Sequence, residues 1–389
     1  MRVLFVTNSI GMGGASVALI HILSYLKKHG IQALVTSPEY GDFTKELDIL
    51  GIPAQVIGNP LEIYPKLSTW KSYIKYPYNL LWMLFKSLSA YIKLCQCIKD
   101  YKPDIIHTNV GPVQIGYLAA HKYCIPHVWH IREYQKEDFG MRPFPSMKIF
   151  LKRIHSQDNH CICITKDIFK HFKLSPIKDK VIYDGVIDKT TLTPFNRKKK
   201  NYILFAGRLE DAKGVKELIK AYNIYAEHGG KLDLYIAGNG SQKYISACNS
   251  LIGLTLKDRV HFLGSRSHSD VFRLMYEAFL FVVPSRSEGF GFITAEAMFN
   301  GTIVIGRNTG GTKEQFDNAK ELSEEEIGIR YINENQLPVI LKQYENIDVE
   351  EYERKAAKAQ EIVCRLYDID TQAKILYDFL IDLYLRTRI

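Results

Sequence analysis

Short apolar segments of strand length alternate with amphipathic helical stretches along almost the whole chain, and the alternation runs through twice. Segments 2–7, 31–36, 54–57, 104–107, 127–131, 161–165 and 181–183 read as strands, with helices such as 15–28 between most of them. Strands joined by helices imply a parallel sheet covered on both faces. Segment 188–200 has no periodicity, contains Pro194 and ends in Arg197-Lys-Lys-Lys200, and it reads as a linker. Strands at 202–206, 232–237, 260–263, 280–283, 303–305 and 328–332 follow, with helices at 215–228, 270–278 and from about Gly291. The expected class is α/β, with two doubly wound, Rossmann-like domains facing each other across a cleft. Residues 350–388 are helical by periodicity and hold no strand, so they either close the second domain or cross back to the first.

Composition narrows the classes further. With 389 residues, 46% hydrophobic and 24% charged, the chain buries a sizeable core, which excludes disordered and disulfide-stapled classes. No apolar run reaches the ~18–20 residues of a spanning helix. The apolar burst at 1–7 is too short for a signal peptide, so a cytoplasmic protein is expected. The seven cysteines include the pairs Cys95/Cys97 and Cys161/Cys163, whose spacing matches neither a zinc site nor a redox dithiol. In alternating apolar sequence they read as small buried side chains.

Charge is unevenly spread. Residues 1–195 carry 24 Lys and Arg against 15 Asp and Glu, which accounts for the whole net charge of +9. An anionic partner at the first half is implied: a nucleic acid, a membrane surface or a phosphate-bearing substrate. No nucleic-acid-binding motif accompanies the charge. Segment 61–101 interleaves Tyr64, Trp70, Tyr73, Tyr78, Trp82 and Phe85 with Lys66, Lys71, Lys75, Lys86 and Lys93. It reads either as a peripheral membrane contact or as a core helix with a solvated face.

Three constellations carry chemistry. Gly11-Met-Gly13-Gly14 lies between the first strand and helix, where backbone N–H groups and the helix dipole favour a phosphate. The dinucleotide fingerprint is incomplete, with Thr36-Ser37 where an acidic residue would stand, so a nicotinamide cofactor is not expected. In the second half, Arg208 and Lys213 follow the first strand, placed for a diphosphate. An ordinary surface pair with Glu210 or Asp211 is the alternative. The sharpest motif is Pro284-Ser-Arg-Ser-Glu288-Gly-Phe-Gly-Phe-Ile-Thr-Ala-Glu296. Glu288 is read at the end of a strand and Glu296 on the following helix. The two are about 12 Å apart if eight residues rise as a helix, with N–H groups of 289–292 between them.

These residues resemble the retaining glycosyltransferases of family four, which have the GT-B fold, and the resemblance covers nearly the whole chain. It implies domains at 1–190 (acceptor-binding) and 201–370 (nucleotide-sugar-binding), with a helix at 371–389 packing back on the first. Glu288 and His130, the latter in Trp129-His130-Ile-Arg-Glu133, would then be the catalytic-site residues. Gly13, Gly14, Arg208, Lys213, Gly238, Gly289, Phe290, Gly291 and Glu296 would bind the nucleoside-diphosphate sugar. Arg132, Glu133 and His107 would shape the acceptor side, and Gly310-Gly-Thr-Lys-Glu314 matches the family's Gly-Gly-x-x-Glu segment. Asp184 stands where many members have asparagine, and Tyr183 where proline is common.

The resemblance implies hexose transfer to a saccharide or lipid-linked saccharide, in cell-surface polysaccharide assembly, with no metal and no cofactor. The protein would sit in the cytoplasm or peripherally at the inner membrane face, with no nucleic acid as partner. Asp368-Ile-Asp370 reads as helix capping rather than a metal–nucleotide site. A nucleotide-sugar epimerase and a non-catalytic nucleotide-sugar binder are the competing readings.

Overall fold

The computed structural model describes residues 1–67, 69–136, 140–286 and 288–387, so Ser287 of the glutamate motif and Arg388 lie outside the described residues. Two compact units form: Met1–Gly185 with the chain from Ile369 onward, and Val186–Asp368.

In the first unit, β1 (Arg2–Thr7), α1 (Gly14–Lys28), β2 (Gln32–Ser37), α2 (Asp42–Ile49) and β3 (Ala54–Val56) lead to the long helix α3 (Trp70–Tyr101). Then come β4 (Ile105–Asn109), α4 (Ile115–Tyr123), β5 (His127–Ile131), α5 (Met147–Ile154), β6 (Asn159–Cys163), α6 (Lys166–His171) and β7 (Lys180–Val181). The sheet is parallel, in the order β3-β2-β1-β4-β5-β6-β7. On β1, Val3 and Phe5 pack with Leu19, Leu23 and Leu26 of α1. Leu4 and Val6 point to the other face, against Ala90, Leu94 and Ile98 of α3 and Ala119 of α4. Both faces are covered, which is why β1 is an unbroken apolar run rather than an alternating one.

The second unit repeats the plan with β8 (Lys200–Ala206), α7 (Val215–Glu227), β9 (Asp233–Ala237), α8 (Gln242–Asn249), β10 (Val260–Gly264) and α9 (His268–Glu277). It continues with β11 (Ala278–Val283), α10 (Phe292–Phe299), β12 (Ile303–Arg307), α11 (Gly310–Ser323), β13 (Ile329–Tyr331), α12 (Leu337–Tyr344) and α13 (Val349–Leu366). Its parallel sheet runs β10-β9-β8-β11-β12-β13. In each unit strand order reverses beside the first strand, the place where doubly wound sheets open a crevice for ligand.

The helical tail divides. Helix α13 stays with the second unit, where Tyr352 and Ala356 join the core. Helix α14 (Ile369–Arg386) returns to the first, where Leu376, Leu380 and Leu383 pack with Leu19 and Leu23.

Segment 188–200 differs from the linker expected. Phe195 packs on the second unit's core, and Arg197 pairs with Glu353 at 2.8 Å. Lys199 donates to the Tyr276 carbonyl (2.8 Å) and lies within 5.4–5.9 Å of the Phe195, Tyr276 and Tyr352 rings. Burial pushes its ammonium down to about 7. A lysine run reads as solvated in sequence because the apolar stem that permits such docking is invisible to a charge count.

Candidate active site

In the second unit the site rests on loops at the carboxyl ends of β8, β9, β11 and β12. Lys213 closes a 3₁₀ turn, Asp211–Lys213, and α7 starts two residues later. Gly214 intervenes with φ +70°, and a Cβ there would lie 2.2 Å from the Pro284 carbonyl oxygen. The chain turns this tightly because it must pass the β11 loop, to which it is also tied by Arg286 N–H donating to the Ala212 carbonyl (2.9 Å). Across this junction Lys213 Nζ meets Glu288 Oε2 at 2.7 Å, both side chains largely enclosed (20% and 14% exposed). Arg208 remains at the surface, 3.1 Å from Glu210, the ordinary pair weighed above.

Gly238 lies at the end of β9 with φ +143°, and a Cβ there would meet the Gly207 carbonyl oxygen at 1.8 Å. The absence of a Cβ at Gly238 thus lets the β8 and β9 loops touch.

Glu288 lies on a loop, five residues beyond the end of β11, and helical structure begins only at Phe292. Half of the eight-residue interval is therefore non-helical, and the 12 Å helical spacing does not apply. The local reason is Gly291, which sits in the left-handed region as N-cap (φ +84°) and delays the helix. Glu288's carbonyl accepts from Gly311 N–H (2.8 Å), which joins the Gly310–Glu314 segment to the motif. Gln315, one residue past that segment and not singled out in the sequence, donates to the carbonyls of Phe290 (2.7 Å) and Gly291 (3.0 Å). The Phe290 ring is buried against Phe292 and Tyr367, so only its backbone faces the loop's chemistry. Gly289 precedes it on the same turn.

Glu296 is buried in the second turn of α10, with Oε1 3.3 Å from His268 Nε2. That contact raises the His268 imidazole above its ordinary value. His268 gave no sequence signal, because 28 residues separate it from its partner. Placed at the start of α9, it stands beside the expected ribose carboxylate.

In the first unit the glycine loop is exposed, with Gly13 the N-cap of α1 and Gly14 its first residue. A Cβ on Gly13 would meet nothing within 4 Å, so no protein neighbour requires a glycine there.

His107 on β4 and His130 on β5 are buried edge to face, with ring centroids 5.4 Å apart, and none of their four ring nitrogens has a hydrogen-bond partner among the described residues. Burial, then Arg132, lowers both: His107 to about 3 and His130 well below its ordinary value, so both are neutral at pH 7. Arg132 donates from Nε to Asn109 Oδ1 (2.8 Å) and from Nη1 to Asp184, and its Nη2 has no partner among the described residues. Burial outweighs Arg132 at Asp184 and raises that carboxyl. Glu133 is buried, accepting from Gly111 N–H at 2.7 Å. Arg132 and Glu133 are thus held by their own unit, and the departure at Asp184 supplies Arg132's counter-charge.

The model of Glycosyltransferase Family 4 matches residues 12–189, and that of Glycosyl transferases group 1 matches residues 189–334. The chain belongs to the family 4, group 1 glycosyltransferases. Among curated relatives of this family, an uncharacterized glycosyltransferase of Methanocaldococcus jannaschii is 28% identical over 215 residues, 54% of this chain and 58% of the relative. A D-inositol 3-phosphate glycosyltransferase of Mycobacterium sp. is 26% identical over 233 residues, 54% of this chain and 52% of that one. The matches thus span little more than half the length of these relatives. HepE of Anabaena, solved in complex with UDP, superposes with a TM-score of 0.77 at 22% identity, covering 98% of this chain and 100% of that one. WaaG, described as a glycosyltransferase involved in lipopolysaccharide biosynthesis, gives 0.66 at 16% identity, covering 96% and 99%. At these identities the likeness is one of fold, GT-B.

Proposed function

We propose that this glycosyltransferase moves a hexose, with retention, from a nucleoside-diphosphate sugar to a saccharide or lipid-linked saccharide in cell-surface polysaccharide assembly. The observation that carries the reading is the enclosed Lys213–Glu288 pair, set between the β8 loop and the N-terminus of α10. In this reading the incoming diphosphate takes Lys213, with Arg208 swinging from Glu210, and frees Glu288 to accept from sugar hydroxyls. The α10 N-terminus and the Gly13-Gly14 amides add partial positive charge where the leaving group becomes more anionic. The C1–phosphate oxygen bond breaks, the acceptor oxygen bonds C1 from the same face, and the acceptor's proton passes to the departing phosphate oxygen. No metal or cofactor enters this scheme. Neutral His130 lines the sugar, and Glu296 accepts from the ribose.

HepE has been solved with UDP-glucose as well as with UDP, which favours a UDP-sugar as the first donor to try. The excess positive charge of the first half suits a phosphate-bearing acceptor, and the mycobacterial relative is named for an inositol 3-phosphate. Peripheral attachment at the inner membrane face through 61–101 would bring a lipid-linked acceptor within reach.

A thermal-shift panel of UDP-, GDP- and ADP-sugars on the wild type, Glu288→Ala and Arg208→Ala tests the site. A shift for one donor that both variants lose supports it, and equal shifts in all three proteins overturn it. Donor turnover without acceptor would instead indicate an epimerase, and binding without turnover across a broad acceptor panel a non-catalytic binder.

A further inference from the structure

Helix α3 has two apolar faces, and its own unit covers only one. Met83, Ala90, Leu94 and Ile98 are buried. Trp70, Ile74, Tyr78, Leu81, Phe85 and Leu88 are 59–69% exposed. At 100° per residue these six fall within a sector of about 80° and form a stripe about 27 Å long. An exposed apolar stripe of this size on a single helix marks an interaction surface. Along it Tyr78, Trp82 and Phe85 stack in turn, at 6.4 and 5.9 Å between ring centroids.

Charge identifies the partner. Lys71, Lys75, Lys86 and Lys93 are all exposed along one flank of the stripe, and Lys71 and Lys86 lie over the Trp70 and Trp82 rings at 5.8 and 5.4 Å. Between Glu62 and Asp100 the sequence has no acidic residue. A second copy would set one lysine row against another. Among the described residues no helix is long and apolar enough to cross a membrane.

We propose that α3 lies flat in the headgroup region of an anionic bilayer, with the stripe from Trp70 to Leu88 facing the acyl chains and the lysine row on lipid phosphates. This rests on the proposed function only in that a lipid-linked acceptor would be met there.

The chain's own tryptophans report on it, since Trp129 is fully buried and Trp70 and Trp82 both lie on α3. Emission and sedimentation are measured with vesicles of phosphatidylcholine alone, and with about 30% phosphatidylglycerol, at low and high salt. Anionic vesicles should shift the emission to the blue and sediment the protein, and neutral ones should do neither. The triple variant Leu81→Ser/Phe85→Ser/Leu88→Ser, all at exposed positions, should bind at least about tenfold more weakly. Lys71→Gln/Lys75→Gln/Lys86→Gln/Lys93→Gln should lose about fivefold per lysine and with it the lipid preference. Circular dichroism checks that both remain folded.

Equal binding to both vesicles, binding to neither, or a concentration-dependent dimer abolished by the serine variant would overturn the proposal. A donor thermal shift on the same samples separates the two readings. A selective shift without vesicle binding removes the lipid surface alone, and vesicle binding without any donor shift removes the proposed function alone.

Discussion

Acid should unfold the first unit through histidines that cannot be charged while folded. His107, His127 and His130 are buried on β4 and β5, and burial lowers all three, His107 to about 3 and His127 to about 4. A histidine held neutral contributes its full stability above its ordinary value near 6.5 and loses it as pH falls toward the folded value. Between pH 7 and 5.5 His107 and His127 each cost about 1.2 kcal/mol, so the two together cost about 2.5 kcal/mol, and His130 acts in the same direction.

Glu62 opposes them. Burial raises its carboxyl to about 7, so the folded state takes up a proton that the unfolded state refuses, returning about 1.5 kcal/mol over the same interval. Asp184, also raised, acts in Glu62's direction. The decisive quantity is therefore the change in slope for a single variant. His127 is bonded to Thr108 and Asn159 at 2.8 and 2.6 Å, and His127→Gln offers both a neutral amide. It should recover about 1.2 kcal/mol of the pH-dependent loss, while Glu62→Gln should steepen that loss by about 1.5 kcal/mol. The assay is urea unfolding at pH 7.0 and 5.5, followed by Trp129 emission in a Trp70→Phe/Trp82→Phe background. A His127→Gln slope identical to the parent's would refute the reasoning.

Three further outcomes are expected. Gly214→Ala, placing a Cβ 2.2 Å from the Pro284 oxygen at φ +70°, should lower stability by about 2–4 kcal/mol in urea unfolding of the second unit; a loss below about 1 kcal/mol would mean the two loops yield freely. Asp184→Asn should cost about 3–5 kcal/mol in thermal unfolding, because it leaves the buried Arg132 charge without a counter-ion. Lys213→Met should weaken UDP-sugar binding by about tenfold or more in calorimetry, and an unchanged affinity would remove the ammonium from the donor site.

The strands were legible because β1 is apolar throughout when both faces are covered; the helical tail was legible by its periodicity, but which unit it joins was left open by the residues and came only from the family resemblance. Glu288 and Lys213 were placed in the right neighbourhood by motif, but their local backbone was not. Whether Gly291 caps a helix or Gly214 ends a turn depends on the carbonyl that happens to lie opposite, and sequence spacing does not contain that carbonyl. His268 and Gln315 were missed because their partners come from other elements. The two faces of α3 were both visible as composition; only packing decided which residues each face held.

The chain crosses between its units twice, after Gly185 and again before Ile369, and at these crossings a Cβ on Gly185 would lie 2.6 Å from Ile369 Cα. The second unit is in effect an insertion into the first. A ribosome therefore finishes the second unit while the first still lacks α14, the cover for Leu19 and Leu23. Assembly order thus runs against chain order, since domains fold as units once complete. Joining Gly185 directly to Ile369 would give the first unit as one uninterrupted polypeptide, whereas stopping at Gly185 would leave its α1 surface bare.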